Sequence, residues 1–349
     1  MNEALSRALR LAELGRAEEQ RGAWDQALQA YEQAIELLAP WPPEPLLADA
    51  LRWKGTILRE RGNLAEAEAC YRSSMELAQQ LQHKSGEAHV LNCLAIVAQR
   101  RGEMDLAEQM YHDASLLAAA SGENRLLGMV QQNLGVLANT RGNFSAALLR
   151  YRMSARAFQE AGDEEAMTWV LNNLGILYTH LRRFDEAEQV FRRGLEGARA
   201  RGDAVVEGFL ELNRAEMFVA AGQVSEAEAA CARALTLADQ RGDRVRRAEA
   251  LKLRGAIQWK QGELDPAVAT LGEAERLARE TNEALLLAEV YRELGEVLKL
   301  RGDVASARTV WERALERFRS LGAAPDVADI EQRLATVPSG PHVSQPPAA

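Results

Sequence analysis

Asn133, Asn173 and Asn213 stand 40 residues apart, and their side chains offer one specific kind of chemistry. A carboxamide carries a donor and an acceptor in one plane, so it can bond both the N–H and the C=O of an extended peptide without reading its side chains. The stretch LNNLGILY (171–178) poses the problem directly. A segment that must bury Leu171, Leu174 and Leu177 also carries Asn172 and Asn173. Asparagine in a helix costs roughly 0.6 kcal/mol against alanine, and ~1–3 kcal/mol more if it is buried without a partner. A bound peptide can supply what these amides need, and so can a neighbouring helix or water. The sequence leaves both open.

No residues are arranged for catalysis. His83, His89, His112, His180 and His342 are scattered without metal-ligand spacing, and there is no GxSxG, GxxxxGK or GxGxxG. Cys93 lies four residues from His89, as a nucleophile and base would on one helix face, but nothing in sequence orients the pair. Cys70, Cys93 and Cys231 are far apart and lack CxxC spacing. That argues against disulfides and zinc, and leaves them as buried small hydrophobes. The expectation is no enzyme, no metal and no cofactor.

With 47% hydrophobic and 27% charged residues the chain has the makings of a folded protein, and its wealth of Ala, Leu, Glu and Arg favours helix throughout. The class is all-α. A formal charge of −9 repels nucleic acid and anionic membrane. One basic stretch, RGDRVRRAEALKLRG, gathers Arg241, Arg244, Arg246, Arg247, Lys252 and Arg254. Glu249 interrupts it and no aromatics interleave, so it reads as a solvated junction, with an acidic partner site as the other reading. The start, MNEALSRALR, contains Glu3, and no apolar run approaches the ~20 residues of a membrane span. A cytoplasmic protein without membrane insertion is expected.

The elements that position the asparagines follow from an internal repeat. RGAWDQA (21–27), RGNLAEA (61–67), RGEMDLA (101–107), RGNFSAA (141–147), LRRFDEA (181–187), AGQVSEA (221–227), QGELDPA (261–267) and RGDVASA (301–307) are one motif at a spacing of 40. Glycine at its second position (22, 62, 102, 142, 222, 262, 302) ends a first helix where the chain needs a left-handed residue; Arg182 replaces it once, at a cost of about 0.5–1 kcal/mol. Asp25, Asp105, Ser145, Asp185, Ser225 and Asp265 are expected to cap the second helix, with capping-box partners in Glu108, Glu188 and Glu228; Ala65 and Ala305 leave two copies uncapped. Pro266 is placed at a first helical position. Gly122, Gly162, Gly202, Gly242 and Gly322, with Asn282 as a substitute, mark the second loop. Small residues such as Gly135 and Gly175 recur on the first helix where the pair must approach closely, and bulky knobs such as Tyr151 and Phe191 recur on the second.

This order of Leu, Leu-Gly, turn glycine, Ala and an aromatic resembles the tetratricopeptide repeat, in a form with a period near 40. The resemblance covers residues 4 to about 322. LNNLG and LNCLA are similar in particular to helices of kinesin light chain, of the Pins and LGN polarity adaptors and of bacterial peptide-sensing regulators. The resemblance implies a right-handed α-solenoid superhelix of eight helix pairs whose first helices line a concave groove for a peptide.

On that scheme residues 1–322 form eight repeat units, 323–337 a capping helix with Val327, Ile330, Leu334 and Val337 on one stripe, and 338–349 a disordered tail. PWPPEP (40–45) is a stiff loop. The inner wall then presents Asn133, Asn173 and Asn213 beside Asn92, Gln132, Asn172, Lys252 and Arg292. One turn earlier lie Met129, Trp169 and Phe209, an apolar shelf or part of the inter-repeat core, and a further wall position carries Asn139 and Trp259. First helices roughly 10 Å apart and a strand rise of ~3.3 Å give one asparagine for about every third peptide residue. Lys252, Trp259, Lys260 and Arg292 place an acidic peptide end toward the C-terminal units. The leading expectation is a scaffold or adaptor that binds a protein or peptide partner; a peptide-responsive sensor and a self-associating subunit are the alternatives. The oligomeric state stays open, with a monomer favoured.

Overall fold

A computed structural model describes residues 2–337, and these form seventeen helices and no strand. They pair along the chain as α1 (Asn2–Gln20) with α2 (Trp24–Leu38), α3 (Pro45–Glu60) with α4 (Leu64–Gln80), α5 (Lys84–Arg100) with α6 (Met104–Ala120), and α7 (Asn124–Thr140) with α8 (Phe144–Ala161). Then follow α9 (Glu164–His180) and α10 (Phe184–Arg201), α11 (Ala204–Ala221) and α12 (Val224–Arg241), α13 (Arg244–Lys260) and α14 (Leu264–Glu280), α15 (Ala284–Leu300) and α16 (Val304–Ser320). A last helix, α17 (Ala324–Ala335), lies on α16 with Ile330 fully buried. The expected tail at 338–349 lies outside the described residues. No described helix is long and apolar enough to cross a membrane.

Packing separates two compact units, one reaching Asn173 and the other starting at Leu174, inside α9. The same rule builds both. In the first, α1/α2, α3/α4, α5/α6 and α7/α8 pack as antiparallel pairs, and α2, α4 and α6 also pack on the next first helix. In the second, α11/α12, α13/α14 and α15/α16 do the same. The pairs close on glycines: a Cβ added to Gly135 would come 2.5 Å from the Tyr151 ring, and one on Gly55 would come 2.7 Å from Tyr71. The aromatic knob of the second helix therefore rests on the bare backbone of the first, which is why small residue and knob alternate with the period of the repeat.

Turn glycines behave as expected, and the exceptions show that the turn itself is in command. At Gly62 φ is +83°, its N–H bonds Arg59 O and the next N–H bonds Leu58 O. Arg182 keeps φ at +57° and makes the equivalent bonds to Thr179 O and Tyr178 O. The side chain has been forced into the left-handed region, at the expected cost of about 0.5–1 kcal/mol, rather than the turn being altered. Gln82, unremarked in the sequence, does the same at φ +53° in the second-loop register of Asn282.

The capping scheme needs correction. The second helices begin two residues earlier than expected, at Trp24, Met104, Phe184, Val224 and Leu264, so Asp25, Asp105, Asp185, Ser225 and Asp265 lie inside the first turn rather than at its cap. Asp25, Asp105 and Asp265 instead pair with arginines of the following repeat, Arg61 at 2.5 Å, Arg141 at 2.6 Å and Arg301 at 2.9 Å. Glu108 likewise takes Arg141 and Glu188 takes Arg214, so neither closes a capping box. The second-helix side-chain caps are Asn143, on the Ala146 N–H, and Asp303, on the Ser306 N–H in a copy expected to have none. First helices α11 and α13 are capped by Asp203 and Asp243. Pro266 is the third helical residue, not the first, and still lies where N–H groups lack an intrahelical acceptor. Pro45, assigned to the loop, opens α3. Cys93 and Cys231 are buried, as read from their spacing, while Cys70 is half-buried.

Candidate functional site

Within each unit the first helices also touch one another. α3 meets α5 and α5 meets α7 in the first unit; α11 meets α13 and α13 meets α15 in the second. No two second helices make comparable contact among the described residues. When one edge of successive layers is closer than the other, the layers fan, and the close edge is the inner one. The first helices α3, α5 and α7, and separately α11, α13 and α15, therefore lie on the inner edge of their units, and positions 133 and 213 stand on two of them.

In the first unit the wall is partly satisfied from within. Asn133 Nδ2 donates to Asn92 Oδ1 at 2.9 Å, joining α7 to α5, and Asn92 is buried. That bond is the neighbouring-helix solution to the asparagine problem. Asn172 is also buried and engaged. Met129 is 37% exposed, and Gln132 on α7 and Trp169 and Asn173 on α9 are half-buried. Asn139 is half-buried, and its Oδ1 is buried without a hydrogen-bond partner among the described residues. The wall position that includes it serves the knobs elsewhere: Tyr31 donates to Glu19 and Tyr111 to Gln99, at 2.9 and 3.0 Å.

In the second unit the wall is stitched by charge. Lys252 of α13 donates to Glu289 of α15 at 2.6 Å, Trp259 Nε1 to Glu293 at 3.1 Å, and Arg292 to Asp326 of α17 at 2.6 Å. The Arg246 guanidinium lies 4.1 Å from the centroid of the Phe209 ring, and the Lys260 ammonium 4.5 Å from that of Trp259. Asn213 is half-buried and has a partner. Lys252 and Arg292 thus already hold carboxylates, which leaves the expected acidic peptide end without a free cation at either position. Burial pulls the Lys252 ammonium down, but Glu289 and Glu216 outweigh it and hold its pKa above the ordinary value. Glu216 is open to water by area, yet loss of surrounding water raises its carboxyl pKa against the pull of Lys252.

Three arginines of the basic stretch are paired in the same way. Arg244 pairs with Glu280, Arg246 with Glu249, and Arg247 with Glu273. The pairing residues Glu293 and Asp326 were missed by sequence reasoning, because they stand 34 residues from their partners and not at the period. A deeper omission is Glu211. Fully buried, it accepts from Arg199 and Arg233 at 2.8 Å each and from Arg214 at 3.4 Å. The available signal was a carboxylate at the register of Leu171 and Leu251. Among the described residues no group of three His, Cys, Asp or Glu side chains is placed to hold a metal ion.

Three family models, each described as tetratricopeptide repeat, match residues 12–80, 86–160 and 168–200. No curated protein matches by sequence. Among solved structures, BtubC (BKLC) from P. vanneervenii is 20% identical, covering 69% of this chain and 92% of its own, with a TM-score of 0.52. A Rap protein complexed with competence and sporulation factor is 15% identical over 96% of this chain and 97% of its own, at a TM-score of 0.62. A signal transduction ATPase with numerous domains and a tetratricopeptide repeat sensor, from Pyrococcus horikoshii, is 16% identical over 93% of this chain but 48% of its own, at a TM-score of 0.68. At these identities the likeness is one of fold alone.

Proposed function

The chain belongs to the tetratricopeptide repeat family, and from that premise we propose that it is a non-catalytic scaffold holding an extended peptide segment of a partner protein against its first helices. The observation that carries the reading is the fanning of each unit, which puts α3, α5 and α7, and separately α11, α13 and α15, on an inner edge. A concave wall offers a peptide contacts from several helices at once, and a few apolar and amide side chains are enough to hold it. In the first unit those are Met129, Gln132, Asn139, Trp169 and Asn173; in the second, Phe209, Asn213 and Trp259. A relative of the same fold is complexed with a partner of its own, competence and sporulation factor, which supports the reading without supplying the ligand.

The test is affinity capture from the native cell with three baits: the wild type, a Met129→Lys, Asn173→Ala variant of the first-helix wall, and Leu116→Lys. Leu116 is 70% exposed on the second helix α6 and serves as the control. Circular dichroism melts must show all three folded. A protein held by the wild type and by Leu116→Lys but lost from the wall variant is the expected result. Loss from Leu116→Lys with retention by the wall variant moves the working surface to the second helices and overturns the proposal.

A further inference from the structure

Two places in the second unit, 80 residues apart, share one register and differ in one ingredient. At the earlier place the Glu211 carboxylate of α11 receives Arg199 from the end of α10 and Arg233 from α12. Eighty residues on, the same positions are Arg279 at the end of α14, Arg313 on α16 and, in place of the glutamate, Tyr291 on α15. Both arginines recur and the carboxylate does not.

Tyr291 is a poor substitute for that carboxylate. Its hydroxyl accepts from Arg279 at 2.8 Å, but a phenol brings no charge, and Arg279 turns to Glu275 at 2.6 Å for its ion pair. Arg313 has no ion pair among the described residues. A third cation has been added: positions 37, 77, 117, 237 and 277 hold leucine, while 317 holds arginine, its guanidinium 6.0 Å from the centroid of the Tyr291 ring. Arg279, Tyr291, Arg313, Glu316, Arg317 and Ser320 line one polar cleft. The Tyr291 hydroxyl accepts from Arg279, so its own proton is free to point into that cleft.

We propose that the cleft binds a carboxylate side chain from an acidic segment of a partner protein, placed among Arg279, Arg313 and Arg317 as Glu211 is placed among its arginines. A guanidinium fork matches a carboxylate with two parallel hydrogen bonds, and two forks plus a phenol O–H satisfy both oxygens. With Arg279 already paired to Glu275 and Glu316 also lining the cleft, the three arginines keep one uncompensated positive charge, which a single carboxylate balances and a doubly charged phosphate exceeds. The arginines stand on the second helices α14 and α16, so this site goes beyond the first-helix wall, and its failure would leave that reading intact.

The probe is N-acetyl-triglutamate amide, titrated into the full chain at low ionic strength and followed by the arginine Nε–Hε resonances. Saturable binding is expected, weakened about tenfold by Arg313→Gln with Arg317→Gln. Tyr291→Glu, which restores an internal carboxylate, should weaken it equally while the protein stays folded. If that variant fails to fold, the arginine pair decides alone. Arg241→Gln, at a distant exposed arginine, should change nothing. Absence of saturable binding overturns the proposal, as does equal weakening by Arg241→Gln. Displacement of the triglutamate by inorganic phosphate at lower concentration also overturns it and makes the cleft a phosphate site.

Discussion

Replacing Glu211 by glutamine separates charge from shape at a fully buried polar site of the second unit. The carboxylate accepts from three arginines and has no exposure to water. Removing one member of a buried ion pair costs about 3–5 kcal/mol, because the remaining charge keeps its desolvation and loses its partner. Here the arginines are only partly withdrawn. Arg199 and Arg233 are 49% and 43% exposed, and Arg214 keeps Glu188 at 2.5 Å. Water can therefore recover much of the loss, and the expected cost of Glu211→Gln falls to about 1–3 kcal/mol. Glu211→Leu should cost less, within about 1 kcal/mol of wild type, since leucine fills the register as it does at 171 and 251 and removes the need for an acceptor. An array of repeats need not unfold in one step, so the assay is native-state hydrogen exchange. Amides of α11 and α12 should lose protection in Glu211→Gln while those of α5 and α6 do not. Wild-type protection in Glu211→Gln, or a larger loss in Glu211→Leu than in Glu211→Gln, would refute the reasoning.

Burial first, then Arg52, lowers His89 from its ordinary pKa of 6.5 to about 4, against the opposing pull of Glu123 and Asp49. The unfolded chain takes that proton first, so stability is complete above pH 6.5 and is lost as pH falls from 6.5 toward 4. Melts of His89→Leu should lack this part of the slope; an unchanged slope would show that the histidine is not its source. Burial pushes the Cys231 thiol up to about 12. In the native protein it should resist iodoacetamide at pH 8 and react in urea, as read by mass spectrometry, and rapid native alkylation would contradict its burial. Gly135→Ala should destabilise by about 1 kcal/mol, the overpacking against Tyr151 exceeding the gain in helix propensity. Gly272→Ala, in a helix where a Cβ meets nothing within 4 Å, should stabilise by about 0.5–1 kcal/mol; denaturant midpoints of opposite sign are the check.

Much of the architecture was legible because a period of 40 repeats the same local physics. Each turn residue, small residue and knob speaks about neighbours close in sequence or one repeat away. The caps failed for a local reason. A two-residue error in where a helix begins turns a capping aspartate into the second residue of the first turn, and there it finds an arginine of the next repeat instead. The candidate wall was legible as a set of positions, but Asn92, Asn133, Lys252 and Arg292 proved to hold one another or nearby carboxylates across repeats. Those pairings span 34 to 41 residues, and side-chain length and helix tilt decide them.

By itself the sequence determined that the chain is helical, where each helix stops, and which residue of each pair must be small. These follow from backbone conformation and from burial at a fixed spacing. Arg182 shows how firmly: the turn forces the residue into φ +57° even without a glycine. Only the tertiary structure decided which polar groups are spent and which are left over. Glu211 and Tyr291 occupy equivalent places on their helices, and yet one is enclosed by arginines that it neutralises while the other lies beneath arginines that it cannot. The balance of charge at such a point is summed over side chains from several helices, and no single stretch of sequence contains that sum.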